Sequence, residues 1–184
     1  MRYQLTKTIA VIGLMGAGKT AVGTLVAQKL GAKFLDSDQE IEKAANMSVA
    51  EIFERDGEGF FRAKESQILE RLLKSEPCVL STGGGAYMSD VNRDLISEYG
   101  VALWLKADLD LLWSRVRHKD TRPLLRTQNP RQTLADLLEL REPIYSKAEI
   151  AVESEKGISL DDMAIKIVEA LVNSPQSGVT QRTG

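Results

Sequence analysis

Eight consecutive residues, Gly13-Leu14-Met15-Gly16-Ala17-Gly18-Lys19-Thr20, carry the most specific chemistry in the chain. A glycine, four residues, then Gly-Lys-Thr fits the phosphate-loop pattern. Glycines let backbone N–H groups curl around phosphate oxygens without a Cβ in the way, and a helix starting there adds partial positive charge. On this reading Gly16, Ala17, Gly18, Lys19, Thr20 and Ala21 bind nucleotide phosphates. The Lys19 ammonium reaches the β- and γ-phosphates, and the Thr20 hydroxyl ligates magnesium. Three further stretches could do chemistry: Asp36-Ser37-Asp38, the run Gly83-Gly84-Gly85, and the basic segment from Arg115 to Arg122. Taken alone, the first could be a capping turn, the second a flexible turn and the third a solvated face.

A phosphate loop works only between a strand and a helix. Thr8-Ile9-Ala10-Val11-Ile12 is a β-branched apolar run that reads as a buried strand. After the loop, Val22, Leu25, Val26 and Leu30 share one helical face, and Gly31 suits the C-terminal cap. Four more strands are expected at 33–36, 78–81, 101–105 and 150–152, alternating with amphipathic helices. That alternation predicts an α/β fold with a five-stranded parallel sheet. Ligands in such sheets gather beyond the carboxyl ends of the strands, where Asp36, Asp38 and Gly83–Gly85 all fall.

The connection over 39–76 is longer than one crossover needs. Ser48-Val49-Ala50-Glu51 is a capping box, Gly57 and Gly59 are expected to break the helix it starts, and a longer helix follows. The excess predicts an inserted subdomain. Ser89 or Asp90 caps the helix after strand three, whose apolar side is expected to hold Val91, Leu95 and Ile96. Asp108 caps the next, Asn129-Pro130 opens another, and Ser159 with Asp162 starts the last. From residue 174 to 184 the chain turns polar and is expected to fray.

Composition narrows the classes. The 184 residues suit a single domain, here taken as 1–173 with the tail at 174–184. A net charge of −2 argues against a non-specific nucleic-acid binder. The single cysteine, Cys78, lies in an apolar run, reads as a buried structural thiol and points to a reducing cytoplasm. No apolar stretch approaches spanning length, and Met1–Leu5 lacks a signal-peptide core, so neither membrane nor nucleic acid is expected as a partner. A monomer is expected.

A guanine-reading Asn/Thr-Lys-x-Asp motif does not occur, and motor or transport ATPases need longer chains. A small chain with an insertion after strand two and a basic loop near 115–130 suggests a small-molecule kinase. The inserted piece would hold the acceptor, and the basic loop would close over the phosphates.

Five features in order resemble the shikimate kinase family: the phosphate loop, Asp36-Ser37-Asp38, Phe61-Arg62-Ala63-Lys64-Glu65, Gly83-Gly84-Gly85 and Arg122-Pro123-Leu124-Leu125. Arg141 followed by Pro143-Ile144-Tyr145 and Ala148 adds a sixth, and the likeness spans about 8–172. The resemblance implies a three-layer P-loop kinase fold of the nucleoside-monophosphate-kinase type, with helices on both faces of the sheet. It implies an acceptor-binding segment at about 37–65 and a mobile lid at about 115–129. It implies transfer of phosphate from ATP to the 3-hydroxyl of shikimate, giving shikimate 3-phosphate and ADP, a step toward chorismate and the aromatic amino acids.

In that family's terms Arg62 and Arg141 bind the acceptor carboxylate, and Asp38 orients the attacking hydroxyl. Gly83, Gly84 and Gly85 offer backbone contacts, and Asp36 reaches Mg2+ through water. Lys19, Asp38 and Arg122 are the catalytic set, with Arg122 neutralising the transferring phosphoryl from the lid. Arg115 and Arg117 both fit the arginine the family stacks on adenine, while Ser154-Glu155-Lys156-Gly157 stands without an arginine near the last strand. Glu65 either holds Arg62 or faces solvent. The nearest alternative is another small-metabolite kinase of this architecture, such as a gluconate kinase. A different class is a nucleotide-binding regulatory module, against which the intact Lys19, Thr20, Asp38 and Arg122 speak.

Overall fold

The computed structural model describes residues 2–119 and 123–182. The chain opens with β1 (Arg2–Leu5) and β2 (Thr8–Ile12), then the phosphate loop and α1 (Lys19–Leu30). β3 (Lys33–Asp36), α2 (Ser37–Ala45) and α3 (Val49–Leu73) lead to β4 (Cys78–Ser81). α4 (Asp90–Tyr99), β5 (Gly100–Lys106), α5 (Leu109–Val116), α6 (Pro130–Tyr145), β6 (Ile150–Glu153), α7 (Leu160–Val172) and β7 (Val179–Arg182) complete it.

Five strands form one parallel sheet in the order β3-β4-β2-β5-β6. Every residue of β2 and β4 is buried, as in a sheet covered on both faces. α1 packs against α7, β3 and β4, whereas α4 packs against α3 and β5. The parallel register sends every crossover back to the same edge, so the segments after β2, β3 and β4 converge at their carboxyl ends. The three-layer arrangement expected from the sequence is the one found.

Local signals decide most boundaries. Ser48 and Glu51 form a reciprocal capping box at the start of α3, and Ser89, Asp108, Asn129 and Ser159 each accept a backbone N–H at a helix start. Gly57 kinks α3 with φ 82° and ψ 171°, a backbone few other residues adopt, but the helix runs on through Gly59. Gly59 is therefore no breaker. Val91 is 61% exposed, because α4 turns Asn92 and Ile96 inward instead. Buried Asn92 is satisfied, donating to the Ala86 carbonyl and accepting from the Ser66 hydroxyl.

The expected fraying tail is the main correction. Pro175–Ser177 makes one 3-10 turn, and β7 then pairs antiparallel with β1, matching Arg2 to Arg182 and Leu5 to Val179. Buried Ser177 donates to the Leu171 carbonyl and accepts from the Val179 N–H, which anchors the turn beneath α7. The ribbon adjoins the amino end of β2, opposite the phosphate loop.

Candidate active site

A cleft of about 1310 Å³ opens at the carboxyl ends of β2, β3 and β4. Its floor is the phosphate loop, from Met15 to Val22. Gly16 has φ +85°, and a Cβ there would meet Val116 at 2.8 Å, so the turn requires glycine on both counts. Lys19 Nζ donates to the Gly13 carbonyl at 2.7 Å and to the Leu14 carbonyl at 3.3 Å. Thr20 Oγ1 donates to Asp36 Oδ2 at 3.5 Å, while Asp36 Oδ1 accepts from Gln39 N–H and caps α2.

Across the cleft, α2 presents Asp38 in its first turn, and α3 presents Arg62 and Glu65. Arg62 Nη1 donates to Glu65 Oε1 at 2.9 Å, and Glu65 is only 2% exposed. Glu65 therefore holds Arg62 and does not face solvent. Asp38 Oδ1 and Glu65 Oε2 are buried without a hydrogen-bond partner among the described residues. Burial raises the Asp38 pKa, Asp36 raises it further, and the Lys19 and Arg62 cations pull against both. Burial likewise raises Glu65, opposed chiefly by Arg62, with Asp38 adding to the rise.

The glycine turn after β4 is walled by these side chains. A Cβ on Gly83 would lie 2.9 Å from Asp38 Oδ1, one on Gly84 3.0 Å from Arg141 Nη1, and one on Gly85 2.6 Å from Arg62 Nη2. Bare backbone is what allows two arginines and a carboxylate to close on the turn. Ser37 Oγ accepts the Gly83 N–H at 3.2 Å, tying the turn to α2.

At the other end, Arg115 lies in α5 and not in a loop, and its guanidinium donates to the Gly16 and Ala17 carbonyls and to Ser154 Oγ, at 3.1 to 3.2 Å. Burial lowers its pKa. Arg117 is exposed, donates to His118 Nε2 and does not line the cleft, so Arg115 is the arginine at this end. Lys119, Ser154, Ile158, Leu160 and Met163 add a wall that sequence reasoning missed. Ile158 to Met163 read only as a helix start, and nothing in their spacing points at a ligand. Val49, Phe53, Phe61 and Leu124 give the cleft an apolar side, also missed. Arg122 lies outside the described residues.

Every other expected site residue meets in this one cleft: Gly16, Ala17, Gly18, Lys19, Thr20, Ala21, Asp36, Asp38, Arg62, Gly83, Gly84, Gly85 and Arg141 all line it. The cleft can hold a polyphosphate beside a small acid bearing hydroxyls.

Known proteins resemble the chain as follows. The shikimate kinase family model matches residues 15–172. A shikimate kinase from Cereibacter sphaeroides is 62% identical over 172 residues, covering 94% of this chain and 86% of its own. A solved shikimate kinase from Acinetobacter baumannii, in complex with shikimate, has a TM-score of 0.86 at 38% identity, covering 92% of this chain and 94% of that one. A gluconokinase from Sinorhizobium meliloti has a TM-score of 0.56 at 20% identity over 89% of this chain and 90% of its own, a likeness of fold alone.

Proposed function

Because the chain belongs to the shikimate kinase family, we propose that it transfers the γ-phosphoryl group of ATP to the 3-hydroxyl of shikimate. The products are shikimate 3-phosphate and ADP, and the product passes toward chorismate and the aromatic amino acids. The observation that carries this reading is the facing of two arginines and one half-buried carboxylate, Arg62, Arg141 and Asp38, across from the phosphate loop. Arginine forks match a carboxylate in two-point geometry, and a carboxylate accepts from hydroxyls, which fits a cyclic hydroxy acid.

The chain's residues then divide the work. The backbone of Gly16 to Ala21 and the Lys19 ammonium bind the polyphosphate. Arg62 and Arg141 fix the acceptor's carboxylate, so its ring is oriented before chemistry starts. Asp38 aligns the attacking hydroxyl and takes its hydrogen bond; positioning and charge stabilisation supply most of the rate in phosphoryl transfer. Arg122 is assigned the charge on the transferring group. Arg115 braces the phosphate loop and flanks the nucleobase.

The residues also fit a hydrated magnesium ion. Thr20 and Asp36 already approach one another through their oxygens, and this ion usually takes one or two protein oxygens plus phosphates and waters. Thr20 and Asp36 would hold it, and it would supply charge neutralisation to the transferring phosphates. Among the described residues no helix is long and apolar enough to cross a membrane. A monomer acting in the cytoplasm completes the proposal.

An assay coupling ADP release to NADH oxidation, with ATP, magnesium and either shikimate or gluconate, tests the reading. Turnover with shikimate is expected. Turnover with gluconate and none with shikimate would replace it with the sugar-acid alternative.

A further inference from the structure

Arg141 and Tyr145 stand four residues apart on α6 and so share one helical face. That face meets the turn after β4. Tyr145 is 1% exposed, its ring tilted against Trp104 with centroids 6.1 Å apart. A buried phenol needs partners for its hydroxyl. It donates to the Gly84 carbonyl at 2.7 Å, and the Arg141 guanidinium, one turn away on the same face, lies near its oxygen. Burial raises the phenol's pKa, so it stays a donor at neutral pH.

The same three groups meet again from the other side, where Arg141 Nη1 covers the bare face of Gly84. The Gly84–Gly85 peptide is trans, so the Gly85 N–H points away from the carbonyl that Tyr145 holds. A hydrogen bond on a peptide carbonyl also polarises the N–H of that unit and makes it a better donor. Gly85 lines the cleft.

We infer that Tyr145 is a positioning residue that, through one hydroxyl, locks the Arg141 guanidinium and the Gly84–Gly85 peptide into a single carboxylate-reading unit. Arg141, held beside the Tyr145 hydroxyl and over Gly84, turns its fork to the acceptor. Tyr145 touches no substrate. Its effect falls on acceptor recognition and not on nucleotide binding. The inference takes the acceptor's identity from the proposed function.

Tyr145→Phe removes only the oxygen and keeps the ring against Trp104. Calorimetric binding of shikimate and initial rates with each substrate varied are the readouts, with thermal melting to verify folding. The shikimate Kd and KM should both rise by about tenfold, the loss expected for a hydrogen bond to a charged group. The ATP KM should not change, and the Gly85 amide proton resonance should move upfield. Unchanged shikimate constants, or a parallel rise in both KM values, would overturn the inference. Arg141→Lys keeps the charge but cannot span Tyr145 and a carboxylate together. It should weaken shikimate by a similar factor, and wild-type affinity in that variant would also overturn the inference. If the wild-type protein neither binds nor phosphorylates shikimate, the acceptor assignment fails, while an unmoved Gly85 amide in Tyr145→Phe would reject the Tyr145 link itself.

Discussion

Asp38 and Glu65 aim their unpartnered oxygens at the same empty spot, the place where a side chain on Gly83 would begin. A Cβ there would stand 2.9 Å from Asp38 Oδ1 and 3.3 Å from Glu65 Oε2. One half-buried and one buried carboxylate thus lean on one bare α-carbon from adjacent helices, α2 and α3.

Gly83→Ala should therefore push Asp38 off its line without adding any polar group. A misplacement of about 1 Å at a reacting group costs on the order of a hundredfold in rate. The expected result is a drop of that order in kcat/KM for shikimate, read by steady-state kinetics, with the melting temperature little changed.

Asp38→Asn should slow the reaction and stabilise the protein. Loss of a group that accepts the attacking hydroxyl's proton or hydrogen bond costs roughly a hundredfold to ten-thousandfold in kcat. Stability moves oppositely, since the folded state raises this carboxyl above its unfolded pKa. Such a group favours the fold fully below the unfolded value, about 3.9, and that contribution vanishes as pH rises through the raised folded value. At pH 7 the ionised form is a burden that asparagine lifts. Melting curves at pH 7 and pH 4.5 should show the variant's advantage shrinking at the lower pH; an equal advantage at both would refute the electrostatic origin.

Arg115→Ala should act on the nucleotide alone. Its guanidinium holds two phosphate-loop carbonyls, and hydrogen bonds to a charged group are worth about tenfold or more in binding. The ATP KM should rise by roughly that factor with the shikimate KM unmoved. Ser154→Ala removes one partner of that guanidinium and should raise the ATP KM by a smaller, about two- to fivefold, factor.

Much of this site was legible because its parts are contiguous in the chain. The phosphate loop, Asp36-Ser37-Asp38 and Gly83–Gly85 each owe their role to spacing within a few residues, next to strands with strong apolar signals. Glu65 stands three residues from Arg62 on one helix and could be read as its holder, but Ser154 and Tyr145 owe their roles to partners on other elements: Ser154 to Arg115 39 residues away, Tyr145 to Gly84 61 residues away. No local pattern encodes such meetings. Arg115 and Arg117 looked equivalent until α5 was seen to end at Val116, turning one inward and the other out. β7 escaped for a different reason. Only Val179 of its four residues is buried, so it shows no alternation, and its pairing partner lies at the far end of the chain.

Removing residues 174–184 should leave β1 unpaired and expose Val179's site. The melting temperature should fall by roughly 2–8 °C, as for one to two kcal/mol in a domain of this size. The ribbon stands opposite the phosphate loop, so kcat at 25 °C should hold. A loss of turnover in a fully folded truncation would show that the ribbon does more than fasten the fold.

That ribbon has a topological corollary. Arg2 and Arg182 are register partners, so the polypeptide comes close to closing on itself. A short linker could join the two strands and let the chain be reopened at an exposed connection elsewhere, a circular permutant with the same sheet and the same cleft. For the same reason a label fused to either strand's outer end would hang from one corner of the molecule, on the side away from the cleft.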